Sequence, residues 1–315
     1  MNNLKKVGLT ALAGALVSVS ANAAEVSVSG GAKLTFTGQE KNTQGNGWSM
    51  TDGLTFSASG ELDNGFVVTV EQILDSSDGA AGAIMDTRIM TIDMGDSGTL
   101  TFSGTGGSSV LDAIDDVTPK AGLEESWDII SGADILPGGT GGDDMFTYDN
   151  SSLMDGLTLS ASYTPSDGTS EVESSSDYGL KYTGIEGLTI GAGAGEDNSA
   201  AASIDLTNMY VKYTMDAFSV GYQASEADSE TANADKDFQA IGLSYAVSED
   251  LSVSINSSTI EFENSSLSDQ EATGFGISYT MGSMTLAGTH NSVDNVAGTS
   301  TSDISGYEVA LSFAF

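Results

Sequence analysis

The last nine residues constrain the fold of this chain most. From Tyr307 to Phe315 the sequence reads YEVALSFAF, so aromatic or aliphatic side chains alternate with Glu, Ala or Ser, and the chain stops on a phenylalanine. Successive side chains of a β-strand point to opposite faces, so such a strand has one apolar and one polar face. This pattern is typical of the closing strand of a membrane-spanning β-barrel.

The first residues have the features of an export signal. Lys5 and Lys6 precede an apolar run over residues 7–19, and the small residues Ala-Asn-Ala follow at 21–23. This arrangement predicts a signal peptide over residues 1–23, with the mature chain starting at Ala24. The run is shorter than the roughly 20 residues that a membrane-spanning helix needs, and no later segment is longer and apolar. Membrane residence would therefore require a barrel.

Alternating segments recur along the whole chain, and we count about sixteen of them. Short turns such as Asp63-Asn64-Gly65 separate some of them, and longer polar loops separate the others. Four of the later segments are expected at 238–247, 251–262, 274–281 and 284–291. A soluble β-sandwich would also alternate, but the final phenylalanine, the aromatic strand ends and the Gly- and Ser-rich second face favour a barrel. We therefore predict an all-β, antiparallel transmembrane barrel over residues 24–315, wide enough for an aqueous lumen.

Composition excludes several functional classes. The chain has 45 acidic and 9 basic residues and a net charge of −36, so it would repel nucleic acid. It has no cysteine, and parity with Met284 and Leu286 turns its one histidine, His290, outward. We therefore expect no enzyme and no cofactor. The acidic loops could hold Ca²⁺ or Mg²⁺ loosely beside lipopolysaccharide, or simply keep the surface hydrated.

Several short stretches are similar to a known family. They are TFTG at 35–38, LDNGF at 62–66, DMGDSGTLTFSG at 93–104, FTYDN at 146–150 and ASY at 161–163. In this order and spacing the chain resembles Gram-negative general diffusion porins of the alphaproteobacterial, trimeric type. The resemblance implies a homotrimer of sixteen-stranded barrels, in which a long third loop folds inward and narrows each pore.

The segment 105–145 shows no clear strand and lies where the resemblance places that loop. If it folds into the lumen, its carboxylates would create a negative field where low-dielectric walls concentrate it. The candidate constriction residues are Asp112, Asp115, Asp116, Glu124, Glu125 and Asp128.

The opposite wall departs from the family, which usually carries several arginines there. This chain has one, Arg88, and its parity with Met90 and Ile92 leaves its face ambiguous. The candidate basic residues of the pore wall are Lys33, Arg88, Lys181 and Lys212, and the acidic ones are Glu61, Glu71 and Glu308. This balance predicts a negative lumen.

We therefore expect an outer-membrane channel for small hydrophilic solutes and ions that prefers cations. Two alternatives are a substrate-selective channel and a structural or adhesive barrel with a closed lumen. The small outward residues Gly30, Ala32, Ala58 and Gly60 are typical of contact between copies. Outer-membrane lipid, lipopolysaccharide and the barrel assembly machinery are the other expected partners. The outward ladder that includes Tyr307, Phe313 and Phe315 resembles the signal that this machinery reads.

Overall fold

The computed structural model describes residues 25–40, 47–75, 85–123, 126–127, 129–133, 139, 142–166, 168, 173–200 and 202–315. The predicted signal peptide and three candidate constriction residues, Glu124, Glu125 and Asp128, lie outside these ranges. Within them, no helix combines the length and the apolarity needed to cross a bilayer.

The described residues form one closed antiparallel barrel of sixteen strands, as predicted. Each strand pairs with its neighbours in the sequence, and β1 pairs with β16 to close the sheet. The strands are β1 (Glu25–Gln39), β2 (Trp48–Glu61), β3 (Val67–Asp75), β4 (Met85–Asp93), β5 (Thr99–Thr105), β6 (Met145–Met154), β7 (Leu157–Thr164), β8 (Ser175–Ile185), β9 (Leu188–Asp197), β10 (Ile204–Met215), β11 (Phe218–Ser229), β12 (Lys236–Ala246), β13 (Leu251–Phe262), β14 (Gln270–Met281), β15 (Met284–Asp294) and β16 (Ile304–Ala314). Short 3₁₀ turns occur at Gly95–Ser97, Asp112–Ile114 and Val296–Gly298.

Turn chemistry sets the pairing of the first hairpins. Between β2 and β3, the Gly65 N–H donates to the Leu62 carbonyl at 2.8 Å, and the Phe66 N–H donates to Asn64 Oδ1 at 3.2 Å. Gly65 has a φ of 83°, a conformation that side-chain-bearing residues seldom adopt. The predicted Asp63-Asn64-Gly65 turn therefore fixes the register of β2 on β3.

The two faces of the sheet differ as the alternation predicts. Side chains of the outer face are apolar and exposed, as Leu34, Met50, Val220 and Leu311 show. Their neighbours on the inner face are small or polar, and Thr35, Gln223 and Ala310 are buried there. An apolar exterior and a polar interior are the arrangement of a barrel that faces lipid.

Several strands extend beyond their predicted ends. β12 begins at Lys236 rather than 238, β14 begins at Gln270 rather than 274, and β15 ends at Asp294 rather than 291. Side chains still alternate between the two faces over these extensions, but the apolar side chains now lie on the inner face and the polar ones on the outer face. Here the apolar side chains point inward and the acids point outward, as for buried Ala272 beside exposed Glu271. Predicted ends based on an apolar outer face therefore stop too early.

Phe315 completes the barrel seam. Its backbone exchanges two hydrogen bonds with Gly30, each 2.9 Å long, and its ring lies 5.9 Å from that of Phe313. These two backbone bonds and the ring contact are separable by substitution, because truncating the side chain leaves the backbone bonds in place.

We predict that deleting Phe315 lowers the free energy of unfolding by about 2 kcal/mol, at about 1 kcal/mol per hydrogen bond, and reduces the outer-membrane yield. Phe315→Ala keeps the backbone bonds and serves as the matched control. Equilibrium unfolding in urea measures the free energy, and heat-modifiable migration of the outer-membrane fraction measures the yield. If Phe315→Ala reduces yield as much as the deletion, the ring rather than the seam is what assembly requires. Unchanged yield in both variants would contradict a role for Phe315.

Candidate functional site: the pore constriction

The described part of the long loop between β5 and β6, residues 106–123, 126–127, 129–133, 139 and 142–144, lies inside the barrel against its inner wall. Its base is closed by an antiparallel bridge between Gly107 and Gly142, whose N–H groups donate to each other's carbonyls at 2.8 and 2.7 Å. This bridge joins the two ends of the loop next to the paired ends of β5 and β6.

The first anchor of the loop is a buried carboxylate on β8. Asp177 is 1% exposed, and its Oδ2 accepts from the Leu111 N–H at 3.5 Å and from the Ser162 hydroxyl at 3.3 Å. The Ser162 oxygen in turn accepts from the Val110 N–H at 3.0 Å. Two inward side chains of β7 and β8 therefore hold two successive amides of the loop.

The second anchor is Gln223 on β11. Its Nε2 donates to the carbonyls of Ile114 and Asp115 at 3.2 and 2.6 Å, and its Oε1 accepts from the Val117 N–H at 3.1 Å. Asn208 on β10 adds a bond from its Nδ2 to the Ile114 carbonyl at 2.8 Å. Gln223 thus satisfies both carbonyl and N–H groups of the buried loop backbone, and Asn208 satisfies a carbonyl group.

The third anchor lies on β13. Asn256 Nδ2 donates to Thr118 Oγ1 at 3.2 Å and to the Pro119 carbonyl at 3.1 Å. Ser254 Oγ accepts from the Ala121 N–H at 2.9 Å, and the hydroxyls of Ser126 and Ser258 lie 3.0 Å apart. The loop is therefore attached to the wall from β7 to β13.

Glycines on the inner wall make room for this path. A Cβ atom at Gly242 would lie 2.9 Å from the Pro119 carbonyl oxygen, and one at Gly274 would lie 2.9 Å from Ser126 Cα. Contacts with backbone atoms at this distance cannot be relieved by rotating a side chain. The Gly-rich inward positions therefore serve close packing of the loop as well as an open lumen.

Beyond Ser126 the loop packs into an apolar cluster that sequence reasoning missed. Trp127 and Ile130 are buried against Phe238, Ile260 and Val293, and the Trp127 and Phe238 rings meet edge to face at 5.6 Å. Val293 lies in the extension of β15, whereas Phe238 and Ile260 lie inside the predicted segments, at the ends of β12 and β13 where the apolar side chains point inward. At 236–240 and 258–262 the apolar residues change from the outer to the inner face of their strands. This change is the signal in the sequence that could have predicted the cluster.

Three loop acids lie close together. Asp112, Asp115 and Asp116 fall on or beside the 3₁₀ turn, and Lys120 Nζ forms an ion pair with Asp116 Oδ2 at 3.0 Å. Burial, followed by the charges of Asp112 and Asp116, raises the pKa of the Asp115 carboxyl to about 6. The centre of the loop therefore carries a charge that changes near neutral pH.

The register places six of the predicted wall residues on the inner face: Lys33, Lys181, Lys212, Glu61, Glu71 and Glu308. Glu308 Oε2 accepts from the Thr37 hydroxyl at 3.2 Å. Besides Asp177, sequence reasoning overlooked further inward charges near strand ends, namely Glu25, Asp75, Asp93, Asp149, Asp197 and Lys236.

Arg88 lies on the outer face, so its assignment as a pore-wall base is wrong. It pairs with Gln72, which pairs with outward Phe56, and Met90 follows on the same face. A bulge between Arg88 and Ile89 interrupts the pairing with β5 only. The bulge therefore does not turn Arg88 inward.

A cavity of about 570 Å³ lies along β1–β3, β15 and β16, the side opposite the anchored middle of the loop. Its polar lining includes Lys33, Thr51, Asp75, Thr285 and Ser312. Outer-face Ala32, Asp52 and Phe313 also line this cavity, and Ile129 and Ile130 of the loop lie next to Gly306 on β16. Within the described residues, no group of three or more His, Cys, Asp or Glu side chains is arranged to hold a metal ion. Loose Ca²⁺ or Mg²⁺ binding stays a prediction.

Comparison with known proteins agrees with this geometry. The family model of Gram-negative porins matches residues 8–315. The chain belongs to the Gram-negative porin family. It is therefore an outer-membrane channel and not an enzyme. No curated protein sequence matches the chain.

Solved structures of porins share this fold at low sequence identity. The anion-selective porin from Comamonas acidovorans has a TM-score of 0.71 at 12% identity, covering 93% of this chain and 100% of that one. A mutant of Rhodopseudomonas blastica porin has a TM-score of 0.67 at 14% identity, covering 92% and 100%. The trimer form of OmpT, an outer-membrane protein of Vibrio cholerae, has a TM-score of 0.71 at 12% identity, covering 93% and 99%. At these identities the similarity establishes the shared fold only. It gives no information on the charged residues of the lumen, which have to be taken from this chain.

We predict that Gln223→Ala loosens the middle of the long loop, because it removes three hydrogen bonds, each worth about 1 kcal/mol. Single-channel recordings should show larger current fluctuations than the native channel. Gln239→Ala is the matched control, since Gln239 lies on the outer face of neighbouring β12. Equal noise in the native channel and both variants would show that Gln223 does not hold the loop.

Proposed function

We propose that this porin passes small hydrophilic solutes and ions passively, prefers cations, and assembles as a homotrimer. The carrying observation is the acidic turn of the long loop. Asp112, Asp115 and Asp116 are held within the barrel, and the neighbouring base, Lys120, is already paired with Asp116.

The charged residues of the inner wall also favour cations over anions. The described acids of this wall are Glu25, Glu61, Glu71, Asp75, Asp93, Asp149, Asp177, Asp197 and Glu308, and its described bases are Lys33, Lys181, Lys212 and Lys236. At an effective dielectric constant near 20, two unit charges 4 Å apart interact by about 4 kcal/mol, and about 1.4 kcal/mol already changes occupancy tenfold. A modest excess of carboxylates near the ion path is therefore sufficient for selectivity.

Similarity of fold does not determine whether a porin prefers cations or anions. The Comamonas acidovorans porin is named anion-selective, yet it shares the barrel with this chain at 12% identity. Selectivity depends on the side chains that face the ions, and here the constriction turn carries more acids than bases.

The trimer proposal rests on the outer face. Gly30, Ala32, Ala58 and Gly60 occur on adjacent β1 and β2, where backbones of two copies can approach closely. OmpT of Vibrio cholerae has a trimer form with this fold. Lipid, lipopolysaccharide and the barrel assembly machinery stay predicted partners.

We predict a cation-selective reversal potential across a potassium chloride gradient. Changing Asp112, Asp115 and Asp116 to Asn should reduce it, because the constriction loses three negative charges. The matched control changes three outward acids, Glu226, Asp237 and Glu261, to their amides. An anion-selective native channel would contradict the proposal, and so would equal effects of the two triple variants.

We also predict that cation preference falls as the pH drops through about 6. A carboxyl group is neutral below its pKa, so protonation of Asp115, whose pKa is about 6, removes negative charge from the constriction. Reversal potentials measured from pH 5 to pH 7.5 should show the step, and Asp115→Asn should abolish it. A step of the same size in Asp115→Asn would assign the titration to another group.

The same recordings discriminate the alternatives. Conductance that saturates with one class of solute would indicate a substrate-selective channel. Absence of conductance in a folded, reconstituted barrel would indicate a structural or adhesive protein with a closed lumen.

A further inference from the structure

A niche lies between the first half of the long loop and the inner wall. Its volume is about 300 Å³, at the lower end of the range for small-molecule sites. Loop residues from 108 to 117 form one side, and inward residues of β6, β7, β8 and β10 form the other. Two lining residues, Leu180 and Ala192, come from the outer face, and they lie between inward Gly179, Gly191 and Gly193. The niche therefore belongs to the lumen.

One end of the niche carries a positive charge. Lys181 points inward on β8 and forms no ion pair among the described residues. It pairs with Gly191, which pairs with Tyr210 on β10. A Cβ atom on Gly191 would collide with the Tyr210 ring, so this ring lies over the glycine, on the side of Lys181. Tyr210 is 7% exposed, and in the described part of the chain its hydroxyl has no hydrogen-bond partner. An ammonium group beside a hydroxyl donor matches a carboxylate.

The other end of the niche carries a negative charge. Asp149 points inward on β6, and its Oδ1 accepts a hydrogen bond from the Ser160 hydroxyl. Thr147 and Thr158 add two more hydroxyl groups to this part of the lining. The described residues place no base within ion-pair distance of Asp149. A carboxylate among hydroxyl groups matches an ammonium group.

The spacing of the two charges suits a molecule that bridges them. Lys181 pairs with Thr158 on β7. Ser160, two residues further along this strand, pairs with Asp149. Two strand spacings and two residues separate the Cα atoms of Lys181 and Asp149 by about 12 Å. A solute that joins the two side chains through hydrogen bonds of about 2.9 Å each would itself span about 6 Å.

Apolar side chains of the loop complete the niche. Val110 packs over Gly179, where a Cβ atom would lie 2.5 Å from Val110 Cγ1. The hydrogen bond from the Val110 N–H to Ser162 fixes this position. Ile114 and Val117 also line the loop side. These side chains can contact the methylene groups of a solute whose charges lie at its two ends.

We propose that this niche binds small zwitterions whose ammonium and carboxylate groups lie about 6 Å apart, such as ω-amino acids and short peptides. The carboxylate binds Lys181 and Tyr210, and the ammonium group binds Asp149. The proposal rests on the ion-conducting channel proposed above and adds a class of solute that pauses beside the long loop. Because the niche lies at the wall, this binding delays zwitterions without excluding other solutes.

Single-channel recordings in potassium chloride at neutral pH test the niche with 4-aminobutyrate. At bond lengths of about 1.5 Å, the extended chain of this molecule places its charged groups roughly 6 Å apart. Transient reductions or excess noise of the open-channel current are expected, and both should increase with its concentration. Butyrate and butylamine have the same carbon chain but one charge each, so they are the matched solute controls. Each should bind at least about tenfold more weakly, because one charged contact is missing.

Variants of the channel locate the binding. Lys181→Gln and Asp149→Asn should each weaken the binding of 4-aminobutyrate at least about tenfold, and Tyr210→Phe should weaken it about fivefold because one hydrogen bond is lost. Lys212→Gln is the matched control, since it removes the same charge from the inner face of β10 outside the niche. Heat-modifiable migration checks that each variant is folded.

The outcomes separate the niche from the channel. An ion-conducting native channel whose current 4-aminobutyrate leaves unchanged would overturn the niche alone. Equal binding in Lys181→Gln and Lys212→Gln would do the same, and so would butyrate or butylamine that binds as tightly as 4-aminobutyrate. A folded, reconstituted barrel without conductance would overturn the channel and the niche together.

Discussion

The closed backbone ladder is the interaction on which this structure depends. A bilayer offers no water to the N–H and C=O groups of a strand, so each one needs a partner within the sheet. Pairing of β1 with β16 meets this need, with Gly30 and Phe315 at the seam. Because the backbone supplies this order, the side chains are not needed to hold a central core. Both faces are then available for other contacts, the outer one for lipid or another copy and the inner one for the long loop.

The inner face combines two demands that favour the same residue types. An aqueous lumen tolerates Ser, Asn, Gln and Gly, and these residues also satisfy or accommodate a loop backbone lying on the wall. Asn256 and Gln223 bond to loop carbonyls, while Gly242 and Gly274 leave space for them. One side of the lumen is thereby filled by the loop, while the lining near Lys33 and Asp75 borders a cavity. The anchors therefore determine which part of the lumen the loop fills.

Sequence reasoning succeeded where the determinant is local. Period-two alternation and turn residues such as Asn64 and Gly65 act over a few positions, so strand number, strand order and the bounds of the long loop could be predicted. The path of that loop could not be. Its bonds join residues far apart in the chain, such as Thr118 and Asn256, which are separated by 138 positions. The apolar cluster around Trp127 was missed because an outward apolar face was assumed along the whole strand, whereas above the lipid zone water lies outside and the loop lies inside.

The face of Arg88 could not be assigned from the alternation of side chains within its own strand. A bulge beside it shifts the pairing with β5, but the continuous pairing of β3 on β4 decides its face, and that pairing is invisible to a single-strand pattern. Once Arg88 is outward, the lumen loses a base that the family resemblance suggested, and the outer face gains a charge opposite in sign to Asp52. One change of face therefore alters both conclusions. It makes the inner wall more negative, which favours cations, and it places the positive charge of Arg88 on the outer face of β4.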